Sequence, residues 1–304
     1  MQPKLAIDIA GIRMKNPVMV ASGTFGYGPE YADLVDLSKL GAIVVKGISL
    51  KPWGGNRTPR LVEVPGGLIN AIGLQNPGFE GFCEKYMPFL RQHDVAVIVN
   101  IWGKTVEDYA DVAARFNDVE GVHALEVNIS CPNIKAGGSA FGTNLEATAR
   151  VVAAVRARTR LPIIPKLAPN VSDIGAFAKV CVDNGADALS LINSFPAMAI
   201  DIETRRPILA NVTGGLSGPG IHPIAVKLVY EAAKAVKVPL IAIGGITSAK
   251  EALEFMIAGA TAVAVGTANF TEPQTALGVV EGIESYLKRH ALPSVASLVG
   301  SIQL

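Results

Sequence analysis

Glu126-Val127-Asn128-Ile129-Ser130-Cys131-Pro132-Asn133 reads as a strand that ends in chemistry. Val127 and Ile129 alternate with polar residues, as side chains do along a strand. Pro132 cannot continue a central strand, so the chain leaves the sheet there. The residues that follow, Ile134-Lys135-Ala136-Gly137-Gly138-Ser139-Ala140-Phe141-Gly142, have the composition of a loop. The thiol of Cys131 is thus delivered to a strand end at the base of a loop, where α/β proteins keep reactive groups. Most free cysteines are small buried hydrophobes. Two flanking amides, Asn128 and Asn133, argue instead for a polar site.

Runs of the same kind recur on both sides of this stretch. They are Pro17–Ser22, Ala42–Ile48, Val95–Trp102, Ala124–Cys131, Pro162–Ala168, Ala188–Ser194, Pro239–Gly244 and Ala262–Thr267. They are β-branched, near-continuous and uncharged until their C-terminal ends, the pattern of strands buried on both faces. Helical patterns lie between them at 144–158, 173–184, 222–237 and 248–258. Another opens at Thr105, with Asp108 three residues on as in a capping box. Eight strands, each followed by a helix, in 304 residues predict an α/β (β/α)8 TIM barrel. An open doubly wound sheet is the alternative. Leu5–Met14 alternates and turns at Ala10-Gly11, which predicts a small hairpin ahead of the barrel. Two gaps between strands are long, at about 49–78 and 195–221, so insertions follow strands two and six on the face where such barrels hold their sites. Long structureless loops of this kind are usually functional. No linker divides the chain, and one domain is expected over residues 1–304.

Composition narrows the function. Twenty-seven basic and 26 acidic side chains leave a net charge of +1, with no basic stretch suited to nucleic acid or a membrane surface. Cys83, Cys131 and Cys181 are too few and too scattered for a disulfide framework or an iron–sulfur cluster, and fit a reducing cytoplasm. His93, His123, His222 and His290 are scattered too, and read as surface or helix-start residues rather than metal ligands. Met1–Asp8 lacks the apolar core of a signal peptide, and no uncharged segment reads as a membrane span.

The strand ends locate the site. Lys46 and Lys166 interrupt apolar runs, and a lysine inside a barrel needs an anion or a carbonyl oxygen. Asn100, Asn128 and Asn193-Ser194 end three more strands. Two cations and several amides at one mouth suit a flat ring rich in oxygen and nitrogen. Gly244-Gly245 and Gly266-Thr267 end the last two strands, the common place for a phosphate in this architecture.

Asn70-Ala71-Ile72-Gly73-Leu74-Gln75-Asn76-Pro77-Gly78, Asn128-Ile129-Ser130-Cys131-Pro132-Asn133 and Ile243-Gly244-Gly245-Ile246 together resemble the dihydroorotate dehydrogenase family, nearly end to end. The narrower likeness is to its NAD-linked class 1B catalytic chains. That resemblance implies an FMN-binding barrel that oxidises (S)-dihydroorotate to orotate in pyrimidine biosynthesis. It places FMN against Ser22, Lys46, Gly47, Asn100, Asn128, Lys166, Ile192, Gly218, Gly244, Gly245, Gly266 and Thr267. It places substrate against Lys46, Asn70, Ala71, Ile72, Gly73, Leu74, Asn128, Asn193 and Ser194, with Cys131 as base.

The chemistry agrees with these residue types. Cys131 would take the C5 proton while the flavin takes the C6 hydride, and Lys166 would stabilise negative charge on the reduced flavin. A free thiol titrates near pH 8.5, so activity is expected to rise with pH unless the site lowers that value. This chain has neither a cysteine cluster nor a GxGxxG turn, so the resemblance assigns FAD, a 2Fe–2S cluster and the reduction of NAD+ to an electron-transfer partner, in a heterotetramer of two and two subunits. Fumarate as acceptor (class 1A), a tRNA dihydrouridine synthase and a non-catalytic flavin scaffold are the competing expectations. The near-zero net charge counts against the RNA enzyme.

Overall fold

The computed structural model describes residues 3–130 and 141–304. Cys131 and Asn133 therefore lie outside the described residues. Eight parallel strands close into a barrel: β1 (Val18–Val20), β2 (Ala42–Ile48), β3 (Ala96–Ile101), β4 (Ala124–Val127), β5 (Ile163–Leu167), β6 (Leu189–Leu191), β7 (Leu240–Ile243) and β8 (Ala262–Val265). They follow one another in sequence order, and β8 closes on β1. Each lies within one of the eight apolar runs.

Period-two alternation divides each strand between two cores. Val18, Val20, Ile43, Val45, Val97, Val99, Leu125 and Val127 face outward into the layer between sheet and helices. Met19, Ala21, Val44, Ile98, Ile164, Ile241 and Ala264 fill the barrel interior. The predicted hairpin pairs Ile7–Ile9 with Ile12–Met14 and plugs one end of that interior with Ile9, Ile12 and Met14. Its turn sets Ala10 at φ 54° and Gly11 at φ 87°, a primed turn matched to the twist of the two strands.

The helices are α1 (Gly78–Lys85), α2 (Met87–Leu90), α3 (Val106–Arg115), α4 (Leu145–Arg158), α5 (Ile174–Asp183), α6 (His222–Ala235), α7 (Ala249–Ala258) and α8 (Thr275–Arg289). Thr105 and Asp108 form the predicted capping box on α3. Asn144, Asp173 and Ser248 cap α4, α5 and α7 through their side chains. Three expectations need correction. No α-helix follows β1; two short 3-10 turns, Pro29–Tyr31 and Leu37–Lys39, stand there instead. The intervening Gly23, Gly26 and Gly28 all adopt positive φ, which no helix accommodates. Helix α6 stops at Ala235, because Val236 is already extended, at φ −132° and ψ 167°.

The third correction concerns the two insertions, which are not structureless. Leu61–Val64 and Gly67–Asn70 from the first join Gly214–Ser217 and Phe195–Ala197 from the second in one antiparallel sheet. This lid sheet has its own small core of Ile69, Ala71 and Leu209. Asn76 ties the base of the first insertion: its Oδ1 accepts from the Ser49 and Gly78 N–H groups at 3.2 and 2.8 Å, and its Nδ2 donates to the Leu74 carbonyl at 2.9 Å. The insertions meet at Gly67, where a Cβ would lie 1.9 Å from the Ser217 carbonyl oxygen. Gly67→Ala is therefore expected to force the joint apart and to cost about 1–3 kcal/mol, the usual range for overpacking. Denaturant unfolding checks this, and an unchanged midpoint would contradict it.

Among the described residues, no helix is long and apolar enough to cross a membrane. Nor do three His, Cys, Asp or Glu side chains gather among them to hold a metal ion.

Candidate functional site

A cavity of about 440 Å³ opens between the C-terminal strand ends and the lid sheet. That volume is within the range of small-molecule sites. The strands supply Ser22, Lys46, Gly47, Asn128, Lys166 and Ile192 to its wall. Across the barrel, Gly218, Gly244, Gly245, Gly266 and Thr267 line it. The lid and the end of β6 add Asn70, Ile72, Gly73, Leu74, Asn193 and Ser194.

Two expected residues do not line it. Asn100 is fully buried one layer beneath the floor. Ala71 faces the lid's own core with Ile69, because alternation turns Asn70 and Ile72 toward the cavity and Ala71 away from it. Cys131 lies outside the described residues; Ser130, the residue before it, is buried.

Lys46 reaches the cavity through an irregularity in β2. The pairing of β2 with β3 shifts register between Val45 and Ile48. There the Lys46 N–H donates to the Gly26 carbonyl of the loop after β1, at 3.0 Å. Such bulges re-aim side chains next to active sites. Burial pushes the Lys46 ammonium below the ordinary lysine value, and the Arg60 guanidinium adds to the effect, with Glu30 opposing both. Arg60 comes from the first insertion and lines the same cavity.

Beneath the floor lies a polar layer. Glu126, on β4, accepts from Asn100 Nδ2 at 2.6 Å and from Ser190 Oγ at 2.8 Å. Lys166 Nζ stands 3.8 Å from Glu126 Oε2. Asn128 Nδ2 donates to Asn100 Oδ1, and Asn193 Nδ2 to Asn128 Oδ1, both at a long 3.4 Å. Asn193 Nδ2 also donates to Ser130 Oγ at 3.0 Å, while its Oδ1 accepts from the Ser194 N–H at 2.8 Å. Tyr109, on α3, donates its hydroxyl to the Asn128 carbonyl at 2.7 Å and so fixes the end of β4 from behind.

At the glycine end, His222 opens α6, as its sequence position suggested. Its Nδ1 lies 2.9 Å from the Gly244 carbonyl oxygen and its Nε2 2.8 Å from Glu254 Oε2. The hydrogen bond with His222 is the main reason the Glu254 carboxyl is held below the usual carboxylate range. Gly245 adopts φ +67°, and a Cβ there would meet the Gly218 carbonyl oxygen and His222 Cβ, each at 2.8 Å. Beside Gly266, a Cβ would meet nothing closer than Ala21 Cβ at 3.7 Å, so the space next to that glycine belongs to the cavity.

The family model described as dihydroorotate dehydrogenase matches residues 4–287 of this chain. The chain belongs to the dihydroorotate dehydrogenase family. It is 56% identical over 303 residues to the "Dihydroorotate dehydrogenase B (NAD(+)), catalytic subunit" of Citrifermentans bemidjiense, covering 100% of this chain and 99% of that one. The protein of the same name from Thermoanaerobacter pseudethanolicus is 52% identical over 300 residues, covering 99% of each chain. Among solved structures, the crystal structure of DHODH in complex with ferulenol from Eimeria tenella superposes with a TM-score of 0.82 at 23% identity. It covers 98% of this chain and 88% of that one, and speaks for the fold alone.

Several residues of this dihydroorotate dehydrogenase-family cavity are not evident from sequence. Arg60, Leu61 and Leu68 line it from the lid, Ser217 from the second insertion and Phe270 from beyond β8. Lid residues carry no signal of their own, because only tertiary pairing brings them over the barrel. Glu126 is different. It is a charge in the third position of an apolar run, the same signal that marks Lys46 and Lys166. It corrects the expectation that these runs are uncharged until their ends.

Proposed function

We propose that this chain is the catalytic subunit of an NAD-linked dihydroorotate dehydrogenase. It acts as one FMN-binding domain over residues 1–304, oxidising (S)-dihydroorotate to orotate for pyrimidine (UMP) biosynthesis in the cytoplasm. The observation that carries this reading is the cavity itself, with amides and two lysines at the ends of β2, β4, β5 and β6 and glycines at the ends of β7 and β8. The likeness to NAD(+)-linked catalytic subunits over the full chain supports the substrate and the acceptor.

The donor set suits FMN. Asn128 and Lys166, with Asn100 beneath them, would meet the ring's pyrimidine edge, with Lys46, Gly47 and Ile192 beside it. Ser22, Gly218, Gly244, Gly245, Gly266 and Thr267 would hold the phosphate end, where glycine backbones allow close approach. Bound FMN would supply the hydride acceptor for C6 of the substrate. Every other task falls to the chain. Asn70, Asn128, Asn193 and Ser194 would hold the substrate's amides, and Lys46 with the backbone of Ile72–Leu74 its carboxylate. The Cys131 thiolate would remove the C5 proton, so that loss of a proton and a hydride leaves the C5–C6 double bond. The lid sheet would exclude water meanwhile.

Electrons must then leave. Cys83 and Cys181 are free, and burial pushes the Cys181 thiol up to about 12, so neither suits a cluster. This supports a partner subunit carrying FAD and a 2Fe–2S cluster, in a heterotetramer of two catalytic and two electron-transfer subunits. The reading is tested by adding dihydroorotate to the FMN-loaded chain. Bleaching of the flavin absorbance is expected, and a spectrum that does not change would overturn it. Turnover with NAD+ and the partner, but not with fumarate, is expected to follow.

Lys46 adds a pH signature. Its charge is lost at a lower pH than the 10.5 of an ordinary lysine. Binding of the orotate carboxylate needs that charge, so affinity is expected to fall as pH rises through the lowered value. Titrating orotate across alkaline pH checks this, and the alkaline fall should become shallower in Lys46→Met.

A further inference from the structure

We propose that Glu126 is a positioning residue: its buried carboxylate sets the direction of the amide chain Asn100–Asn128–Asn193 and supplies the counter-charge to Lys166 beneath the cavity floor. The inference rests on the reading of that cavity as a flavin and orotate site.

Direction is the point. A side-chain amide has nearly the same shape after a half-turn that exchanges its oxygen and nitrogen, so packing alone does not orient it. An ionised carboxylate only accepts. Glu126 therefore requires the NH2 of Asn100, which approaches Oε2 at 2.6 Å. That leaves Asn100 Oδ1 to accept from the NH2 of Asn128, and Asn128 Oδ1 to accept from the NH2 of Asn193. The far end is pinned independently. Asn193 Oδ1 takes the Ser194 N–H at 2.8 Å, which also leaves its NH2 pointing toward Asn128 and Ser130. All donors in the chain thus point toward one anion. A flat ligand whose edge alternates N–H and C=O meets a fixed pattern rather than amides free to turn.

Burial makes the arrangement firm. Glu126 is 2% exposed, Asn100 and Ser190 0%, and Lys166 5%, so solvent does not compete for these bonds. Nor does stability explain the group. A buried ion pair is commonly no more stabilising than apolar residues of the same volume. Lys166, which lines the cavity, has Glu126 as an anion at 3.8 Å. The net charge under a bound ring is therefore set by the pair, not by the lysine alone.

Two variants separate the two roles. Glu126→Gln keeps an acceptor for Asn100 and offers an NH2 to Ser190 Oγ, but removes the charge. Glu126→Met keeps the unbranched shape and removes both acceptors. The measurements are the orotate dissociation constant, from the flavin absorbance change, and the midpoint potential of bound FMN. In Glu126→Met, orotate is expected to bind about tenfold more weakly, the loss of one oriented hydrogen bond. In Glu126→Gln the potential is expected to rise, because a negative charge beneath the ring is gone, and orotate affinity to fall less than in Glu126→Met, because an acceptor for Asn100 remains and Ser194 still pins the far end of the chain. A purely structural role would move neither quantity in the folded protein. A wild-type potential in Glu126→Gln overturns the counter-charge, and a wild-type orotate affinity in Glu126→Met overturns the ordering. If the methionine variant does not accumulate, the glutamine variant decides through the potential. Wild-type protein that takes up neither FMN nor orotate would instead remove the underlying reading of the cavity.

Discussion

Cys131→Ala is expected to retain FMN and bind orotate, yet to bleach on dihydroorotate about 10²–10⁴-fold more slowly, the usual contribution of a positioned base. The expectation follows from what the fold leaves to that residue. Among the described residues, the cavity wall offers lysines, an arginine, amides, hydroxyls, glycines and apolar side chains, and none of these gives up a proton as readily as a thiol to become a base for a carbon acid. Cys131 stands three residues beyond Asn128, which lines the cavity, and directly after the buried Ser130. A free thiol titrates near about 8.5, so the wild-type bleaching rate should climb with pH through that region. The alanine variant should lose that climb along with the rate. Single-turnover bleaching at several pH values measures both. Wild-type rates in Cys131→Ala would remove the thiol from the mechanism, and a slow variant that kept the pH limb would move the base elsewhere.

The barrel was legible because its strands are buried on both faces, and burial writes near-continuous apolar runs. Lys46 and Lys166 were legible for the same reason, as charges where the pattern admits none. Glu126 carried an equal signal, but it is followed by Val127, Asn128, Ile129 and Ser130 in a way that imitates the polar face of a half-buried strand. The lid sheet was not legible. Gly214-Gly215 has no strand propensity of its own, and Leu61–Val64 is partly exposed. Asn70 pairs with Gly215 from the other insertion, a partner no local pattern names. Helices α1 and α8 were hidden by their starts: neither Pro77 nor Gln274 makes a side-chain cap. A motif taken over as a block also blurs its own alternation. Asn70 through Leu74 reads as one substrate loop, while the fold turns Ala71 out of it.

Lys166→Met is expected to destabilise the apoprotein by about 3–5 kcal/mol, toward the lower end because the partners stand 3.8 Å apart. Methionine fills much of the lysine stem's volume, so the loss would come chiefly from the anion left behind. Glu126 is 2% exposed and, among the described residues, would keep only Asn100 and Ser190, two neutral donors, around a full charge. Denaturant unfolding of wild type, Lys166→Met, Glu126→Gln and the double variant closes a cycle around the pair. The double variant should recover most of the loss, because glutamine can accept from Asn100 and donate to Ser190 without a charge to compensate. Recovery would assign the cost to the orphaned carboxylate. Its absence would assign it to packing around β5, and a Lys166→Met protein as stable as wild type would mean that the two groups are not energetically coupled.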